Sequence, residues 1–325
     1  MPLHATDVGR RVVVRSRVPG RGASGGPALT DVVGVLELLD DSKIVVRRRD
    51  GSVMSVTKDT VVSAHRVADT PPGRAGVGLR LPATELQRIA DAGWPAPVTA
   101  PLGQWLLRAA GGFTGRANSV SVHGSPGCAF DEALERVRAF YTARDLPPMA
   151  QVVIGTDDDA AFHAAGWVTK PGSHSGAVVQ VAALRTALRS AHSDTTAVSV
   201  RADVDPGWLR LYGRATDVDP AVVARVVAGP EQVALARIGD PARAIGRMVV
   251  TGEWAGMSAV EVAPEHRRQG LARQVVDRLL DWAASRGARW CYLQTMAHNE
   301  AALRLYAPYG FSTHHTYRYL VPGGD

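Results

Sequence analysis

Residues 257–277 read MSAVEVAPEHRRQGLARQVVD, and within them the apolar period changes from two to 3.6 across a short turn. Residues 258–262 are β-branched and alternating, as a strand requires, and Pro264 ends that run. Val275, Val276, Leu279, Leu280, Trp282 and Ala283 then recur at helical spacing, so a helix begins near Gly270. A strand that enters a helix through a glycine turn also builds an anion site. The first N–H groups of the helix have no internal partner, and the helix dipole adds about half a positive charge there. Gly270 and Ala272 permit close approach to the main chain, Leu271 lies between them, and Arg267, Arg268 and Arg273 supply fixed positive charge. Such a turn suits a pyrophosphate. Taken alone, it reads equally well as a solvated helix start with a tolerant glycine.

A second pattern narrows the choice. After the apolar run WCYLQT, the sequence places Asn299, Ala302, Leu305-Tyr306 and Gly310-Phe311 in series. Together the two stretches resemble the GNAT superfamily of N-acetyltransferases, whose acyl-CoA turn is matched in register by Val262, Pro264, Arg267, Gly270 and Ala272. The resemblance covers about residues 197–323, with the specific residues confined to 260–311. It implies acetyl transfer from acetyl-CoA to a primary amine of a small molecule or protein, by direct attack in a ternary complex. It further implies that Val260 and Val262 offer main-chain groups to the pantetheine arm and that residues 267–273 wrap the pyrophosphate. Asn299 would bond the arm, and Tyr306 would return a proton to the departing thiolate. A tyrosine near pKa 10 stays protonated beside a thiol near 8.5, which fits that last role. Asn299 also reads as a helix N-cap, and the two roles are compatible.

Residues 131–167 look like a faded copy of this arrangement. A helical stretch at 131–144, with Asp131 as its cap, precedes the strand MAQVVIG and the pair Gly166-Trp167, as 273–286 precede WCYLQT and Gly310-Phe311. The first copy lacks the glycine turn. Further upstream, Val- and Ile-rich runs at residues 8–67 alternate with turn signals such as Asp50-Gly51, and five short strands in that space resemble an SH3-like barrel. The glycine-rich residues 17–27 read as a loop. The expected organisation is therefore a barrel (1–68), a Pro/Gly linker (69–78), a degenerate GNAT-like region (79–192) and a catalytic GNAT domain (193–325). The fold class is α/β, a mixed sheet flanked by helices behind a small all-β domain. That combination resembles GNAT proteins of high-GC bacteria classed as histone acetyltransferases.

Composition removes other classes. With 46% apolar and 21% charged residues the chain is not disordered, and it has no apolar run of the roughly 18 residues that a membrane helix needs. The start of the chain lacks an apolar signal core, so a cytoplasmic protein is expected. Two cysteines, Cys128 and Cys291, make neither a disulfide framework nor a zinc site, and no metal is expected. The net charge of +6 is concentrated at the N-terminus, where residues 1–74 hold 12 Lys/Arg against 8 Asp/Glu. With 47–49 all arginine, an alternative reading is a nucleic-acid-associated module carrying a CoA-sensing, non-catalytic GNAT domain. Glu253, Glu261 and His298 are the candidates for a general base, with water as a fourth. Cys291 is better explained by packing than as a nucleophile. The amine acceptor, the barrel's ligand and the oligomeric state stay open.

Overall fold

The structure is a computed structural model that describes residues 3–4, 7–21, 27–48, 52–66, 80–214 and 218–324. The chain divides into two compact units, residues 1–75 and 76–325.

The first unit is an antiparallel sheet of β1 (Arg11–Arg21), β2 (Pro27–Leu39), β3 (Lys43–Arg47), β4 (Val53–Thr57) and β5 (Val61–Arg66), in the order β4-β3-β2-β1-β5. Alternation sends Val12, Val14, Val32, Leu36, Ile44, Val46 and Val56 to one buried face. Residues 17–21, read from composition as loop, instead continue β1, because Arg17 pairs with Leu29 and Arg21 with Pro27 across the hairpin. Backbone pairing overrides the glycine content there. The Asp50-Gly51 turn lies outside the described residues.

The second unit begins with α1 (Ala83–Ala92), β6 (Val98–Leu102), β7 (Trp105–Ala109), β8 (Val120–Ser121), α2 (Phe130–Thr142), β9 (Ala150–Val153), α3 (Asp157–Ala164), β10 (Trp167–Thr169), β11 (Gly176–Ala183) and α4 (Leu184–Leu188). It continues with β12 (Val198–Arg201), α5 (Pro206–Leu211), α6 (Pro220–Ala228), β13 (Val233–Ile238), β14 (Ala244–Thr251), β15 (Trp254–Val262), α7 (Leu271–Ser285), β16 (Trp290–Thr295), α8 (Glu300–Tyr306) and β17 (Ser312–Pro322). All twelve strands form one mixed sheet in the order β12-β13-β14-β15-β16-β11-β17-β9-β8-β7-β6, with β10 on β17.

That order exchanges strands between the two halves. β11, from the first half, lies between β16 and β17 of the second, while β17 pairs with β9 and β10 of the first. Each half also contains one parallel pair, β8 with β9 and β15 with β16, and each pair is followed or joined by a helix, α2 and α7 respectively. The apolar stripe of α7, with Val275, Val276, Leu279 and Leu280, packs on one face of β13–β15. Trp208 of α5 and Val223, Val226 and Val227 of α6 cover the other face. Burying each such aliphatic side chain contributes roughly 1.5–3 kcal/mol, so both faces are held. Asp131 does not cap α2: the N-cap is Ala129, and Asp131 sits with Glu132 in the first helical turn.

Candidate active site

The parallel pairing of β15 with β16 runs only from Trp254–Trp290 to Met257–Leu293. Beyond it, β15 takes an extra residue against β14: Ile245 faces Glu261 but Arg247 faces Ser258. Ala259 adopts a positive φ of 52° within this bulge, a conformation that costs an L-residue about 1–2 kcal/mol. A bulge bends its strand and strengthens its twist, and here it carries residues 258–262 away from β16. Arg247 holds the bulge from beneath. It is fully buried, its Nε donating to the Val227 carbonyl at 2.6 Å and its Nη2 to the Gly93 carbonyl at 2.9 Å, while Nη1 reaches Ser258 Oγ at 3.3 Å. Burial pulls this guanidinium down to about 9, so it remains charged at neutral pH.

The gap opens as a cleft of about 410 Å³. One wall is residues 257–261 of β15, and another is formed by Gln294 and Thr295 of β16 with Asn299, Ala302 and Tyr306 of α8. Tyr306 is 7% exposed, stacks edge-on to Phe311 at 5.7 Å, and burial raises its phenol well above its usual range. It stays protonated at any physiological pH. Tyr309, in the turn that follows, donates to buried Asp277 of α7 at 2.5 Å, tying the end of α8 to the long helix. Asn299 caps α8 by accepting the Ala302 N–H at 3.1 Å and also lines the cleft.

At the far end of β15, Pro264–His266 form a single 3-10 turn, Arg268 and Gly270 take positive φ values of 63° and 80°, and α7 starts at Leu271 with Gly270 as its N-cap. A side chain at Gly270 would meet nothing within 4 Å, so the turn is open. Among the described residues, the N–H groups of Arg268, Gln269, Gly270, Leu271 and Ala272 have no hydrogen-bond acceptor. Arg267, Arg268 and Arg273 are exposed around them, with Arg267 Nε reaching back to the Val262 carbonyl at 3.3 Å. Leu271 is buried in the core beneath.

The family model described as "Probable histone acetyltransferase Rv0428c C-terminal" matches residues 83–320, and "Rv0428c N-terminal Sm-like domain" matches residues 6–65. The protein named "Probable histone acetyltransferase Rv0428c", from Mycobacterium tuberculosis, is 30% identical over 96% of this chain and 95% of its own length. "Uncharacterized N-acetyltransferase YobR" of Bacillus subtilis is 29% identical over 72% of this chain and 97% of its own. The chain belongs to the GNAT superfamily of N-acetyltransferases. Its fold is that of the GNAT structures: a "GCN5-related N-acetyltransferase from Kribbella flavida" superposes with a TM-score of 0.52 at 18% identity, covering 77% of this chain and 97% of that one. It is an acyltransferase.

In this GNAT chain Val260, Glu261, Asn299 and Tyr306 meet at the cleft. Val262 and the turn 267–273 lie beyond its end and do not line it. The three candidate bases separate widely. Glu261 lines the cleft half-buried: burial raises its carboxyl above the usual range, opposed by the Arg214 charge, the Gly213 N–H and the Arg267 charge. His298 faces a shallower depression beside Asn299. Glu253 sits at the opposite end of β15, exposed and ion-paired with Arg289 at 2.9 Å. Cys291 is buried away from solvent, which pushes its thiol up to about 12; it is no nucleophile at neutral pH.

Residues 115–119 read from sequence as a structured turn beside the substrate groove or, at least as well, as a core-facing loop, and Gly115 and Arg116 line the cleft. Sequence reasoning missed the rest of this wall: Lys170, His174, Tyr212, Arg214, Tyr317 and Tyr319, several of them from the first half. The Gly115-Arg116 turn gave a signal: Gly115 packs so closely on Tyr319 that a Cβ there would lie 2.8 Å from the ring. Among the described residues no group of three or more His, Cys, Asp or Glu is arranged to hold a metal, and no helix is long and apolar enough to cross a membrane.

Proposed function

We propose that this chain transfers an acetyl group from acetyl-CoA to a primary amine by direct attack in a ternary complex, with no acyl-enzyme. The observation that carries the reading is the separation of β15 from β16 at the Ala259 bulge, which leaves the inner edge of residues 258–262 without a strand partner. Half-exposed along the cleft, such an edge offers unpaired main-chain groups, and the amide groups of a pantetheine arm match it. Val260 and Val262 are the residues assigned to that arm, with Asn299 beside them. The unpaired N–H groups and arginines of 267–273 suit the diphosphate at the other end.

Chemistry then needs two things from the protein. Glu261 takes the proton that the amine must lose, directly or through water, and its raised carboxyl is a better base than an ordinary glutamate. The amine nitrogen attacks the thioester carbon, and the tetrahedral intermediate expels the thiolate. Tyr306 donates its phenolic proton to that sulfur as the carbon–sulfur bond breaks. The buried phenol is regenerated from solvent after the products leave.

The acceptor class proposed is a small-molecule amine or a protein lysine or N-terminus, the latter in keeping with the histone acetyltransferase label of the mycobacterial relative. Of the arginines 47–49 behind the nucleic-acid alternative, Arg47 pairs with Glu37 at 2.6 Å and Arg49 lies outside the described residues. Thiol release on addition of acetyl-CoA and a panel of amines tests the proposal. Turnover that needs both substrates supports it; acetyl-CoA consumed through a covalent acetyl-enzyme overturns direct attack.

A further inference from the structure

The cleft has an electrostatic asymmetry that the transfer reaction alone does not require. Three fixed cations line it, Arg116, Lys170 and Arg214, against the single carboxylate of Glu261. Among the described residues none of the three has an acidic partner within ion-pair distance. Elsewhere in the same unit several arginines have acidic partners, Arg108 with Asp91, Arg237 with Asp205 and Arg318 with Asp159, whereas buried Arg247 is satisfied by carbonyl groups. Arg116 is braced instead on the face of Trp94, 4.4 Å from its centroid, which holds a cation without cancelling its charge. Arg116 and Lys170 are half-buried, while Arg214 is exposed and its charge acts on Glu261. Half-buried positive charge without an acidic partner is costly, and a ligand's anionic group would supply the counter-charge.

The remaining polar groups point the same way. Tyr212, Tyr317 and Tyr319 line the cleft with phenols that burial keeps protonated; Tyr317 donates to Gln294 Oε1 at 2.9 Å and is hydrogen-bonded to Tyr319. Burial, then the charges of Arg214 and Lys170, hold His174 below the usual imidazole range. The cations themselves come from outside the elements assigned to the coenzyme: Arg116 follows β7, Lys170 follows β10 and Arg214 follows α5. The arginine turn at 267–273 does not line this space.

We propose, on the basis of the acetyl-transfer reading above, that the acceptor is a small primary amine carrying a carboxylate or phosphate, with Arg116, Lys170 and Arg214 holding its anionic group. The same positive field disfavours the ammonium form of the attacking nitrogen, which must be neutral to react. A cationic acceptor, such as a polyamine or a lysine-rich tail, meets repulsion in the same cleft.

Matched pairs in a thiol-release assay on the full chain provide the test: glycine against glycinamide, phosphoethanolamine against ethanolamine, with spermidine and a lysine-rich peptide as cationic acceptors. Preference for the anionic member of a pair by about tenfold or more in kcat/KM is expected, and whichever pair responds distinguishes carboxylate from phosphate. Lys170→Gln and Arg214→Gln should each remove about tenfold of that preference while the acetyl-CoA Kd, read by calorimetry, moves less than about twofold. Lys170 is the safer variant, being partly exposed at the end of β10, whereas Arg116→Gln also loses the stack on Trp94. Preference for the cationic acceptors overturns the proposal. An acetyl-CoA Kd that weakens in step with the acceptor KM overturns it as well, because the cations would then be holding the coenzyme. Acetyl-CoA binding without turnover on either anionic amine defeats the acceptor assignment and leaves the coenzyme reading intact, whereas no acetyl-CoA binding removes both.

Discussion

The two halves of the second unit start from the same plan and end differently at one place. In the second half β15 leaves β16 after four paired residues and a cleft opens. In the first half β8 pairs with β9 over two residues, and the Val122 N–H bonds the Gln151 carbonyl at 3.3 Å just beyond the strand. Around β7, β9 and α1 the first half holds a buried polar chain. Arg108 bonds Asp91, Ser119 and Gln151; His123 bonds the other Asp91 oxygen at 2.7 Å; Gln151 continues to Gln87 and Gln87 to His315. The turn before α2 is also closed. Gln104 and Ser125 exchange hydrogen bonds, and Trp105 donates to the Gly124 carbonyl at 2.5 Å. Finally the first turn of α2 carries Asp131 and Glu132, where α7 has no acid and is flanked by arginines. One fold thus becomes a packed scaffold when its donors are internally satisfied and its helix start is acidic. It becomes a site when both are reversed.

The sharpest break between the halves is energetic. Asp91→Ala leaves the buried Arg108 and His123 without their carboxylate, and loss of one member of a buried pair costs about 3–5 kcal/mol. Denaturant unfolding should register that loss, while the acetyl-CoA affinity of the folded fraction is unchanged. A fall in affinity as large as the fall in stability would show that the first half is part of the coenzyme site after all. In the second half, Tyr306→Phe should lower kcat about a hundredfold with little change in acetyl-CoA Kd, read by steady-state kinetics beside calorimetry. A full rate across the pH profile would remove the acid role.

Smaller effects refine the contrast at the helix starts. Ala272→Glu gives α7 the kind of charge that α2 carries, and should weaken acetyl-CoA by about tenfold through repulsion at the positive end of the dipole. Unaltered affinity in a titration would count against the turn as the diphosphate site. Glu261→Gln should lower kcat/KM by about tenfold, since water can still relay the proton. Because burial raises the Glu261 carboxyl, the wild-type rate should climb as pH rises through that elevated pKa and the group ionises. The variant should lose that acidic limb, and a limb that persists in it belongs to another group.

How much of this was legible in the sequence follows from distance along the chain. The turn at 267–273 was readable because its requirements are local: a strand end, glycine at a positive φ, and a helix start all fall within a dozen residues. Asn299 and Tyr306 were readable for the same reason, as neighbours on α8. The helix, strand and glycine spacing around Gly166 and Gly310 was legible locally, whereas the exchange of β11 and β17 across the sheet was not. Pairing of Val179 with both Gln294 and His315 depends on register across more than a hundred residues, and no local pattern encodes it. The opposite wall of the cleft was lost with it. Lys170 reaches the site only because the shared sheet brings the first half alongside β16, and in a chain with 37 Lys/Arg it does not stand out, whereas the glycine turn at 115–119 marked Arg116. Residues 17–21 failed in the other direction, since glycine content suggested loop where hairpin pairing makes strand.

The account as a whole rests on one half binding the coenzyme and the other being closed to it, and the most direct measurement is the stoichiometry of acetyl-CoA binding to the full chain by calorimetry. One molecule per chain is the predicted result, lost when Arg267 and Arg273 are both replaced by Glu and unaltered when Asp131 and Glu132 are neutralised. Two molecules per chain, or none, would contradict it.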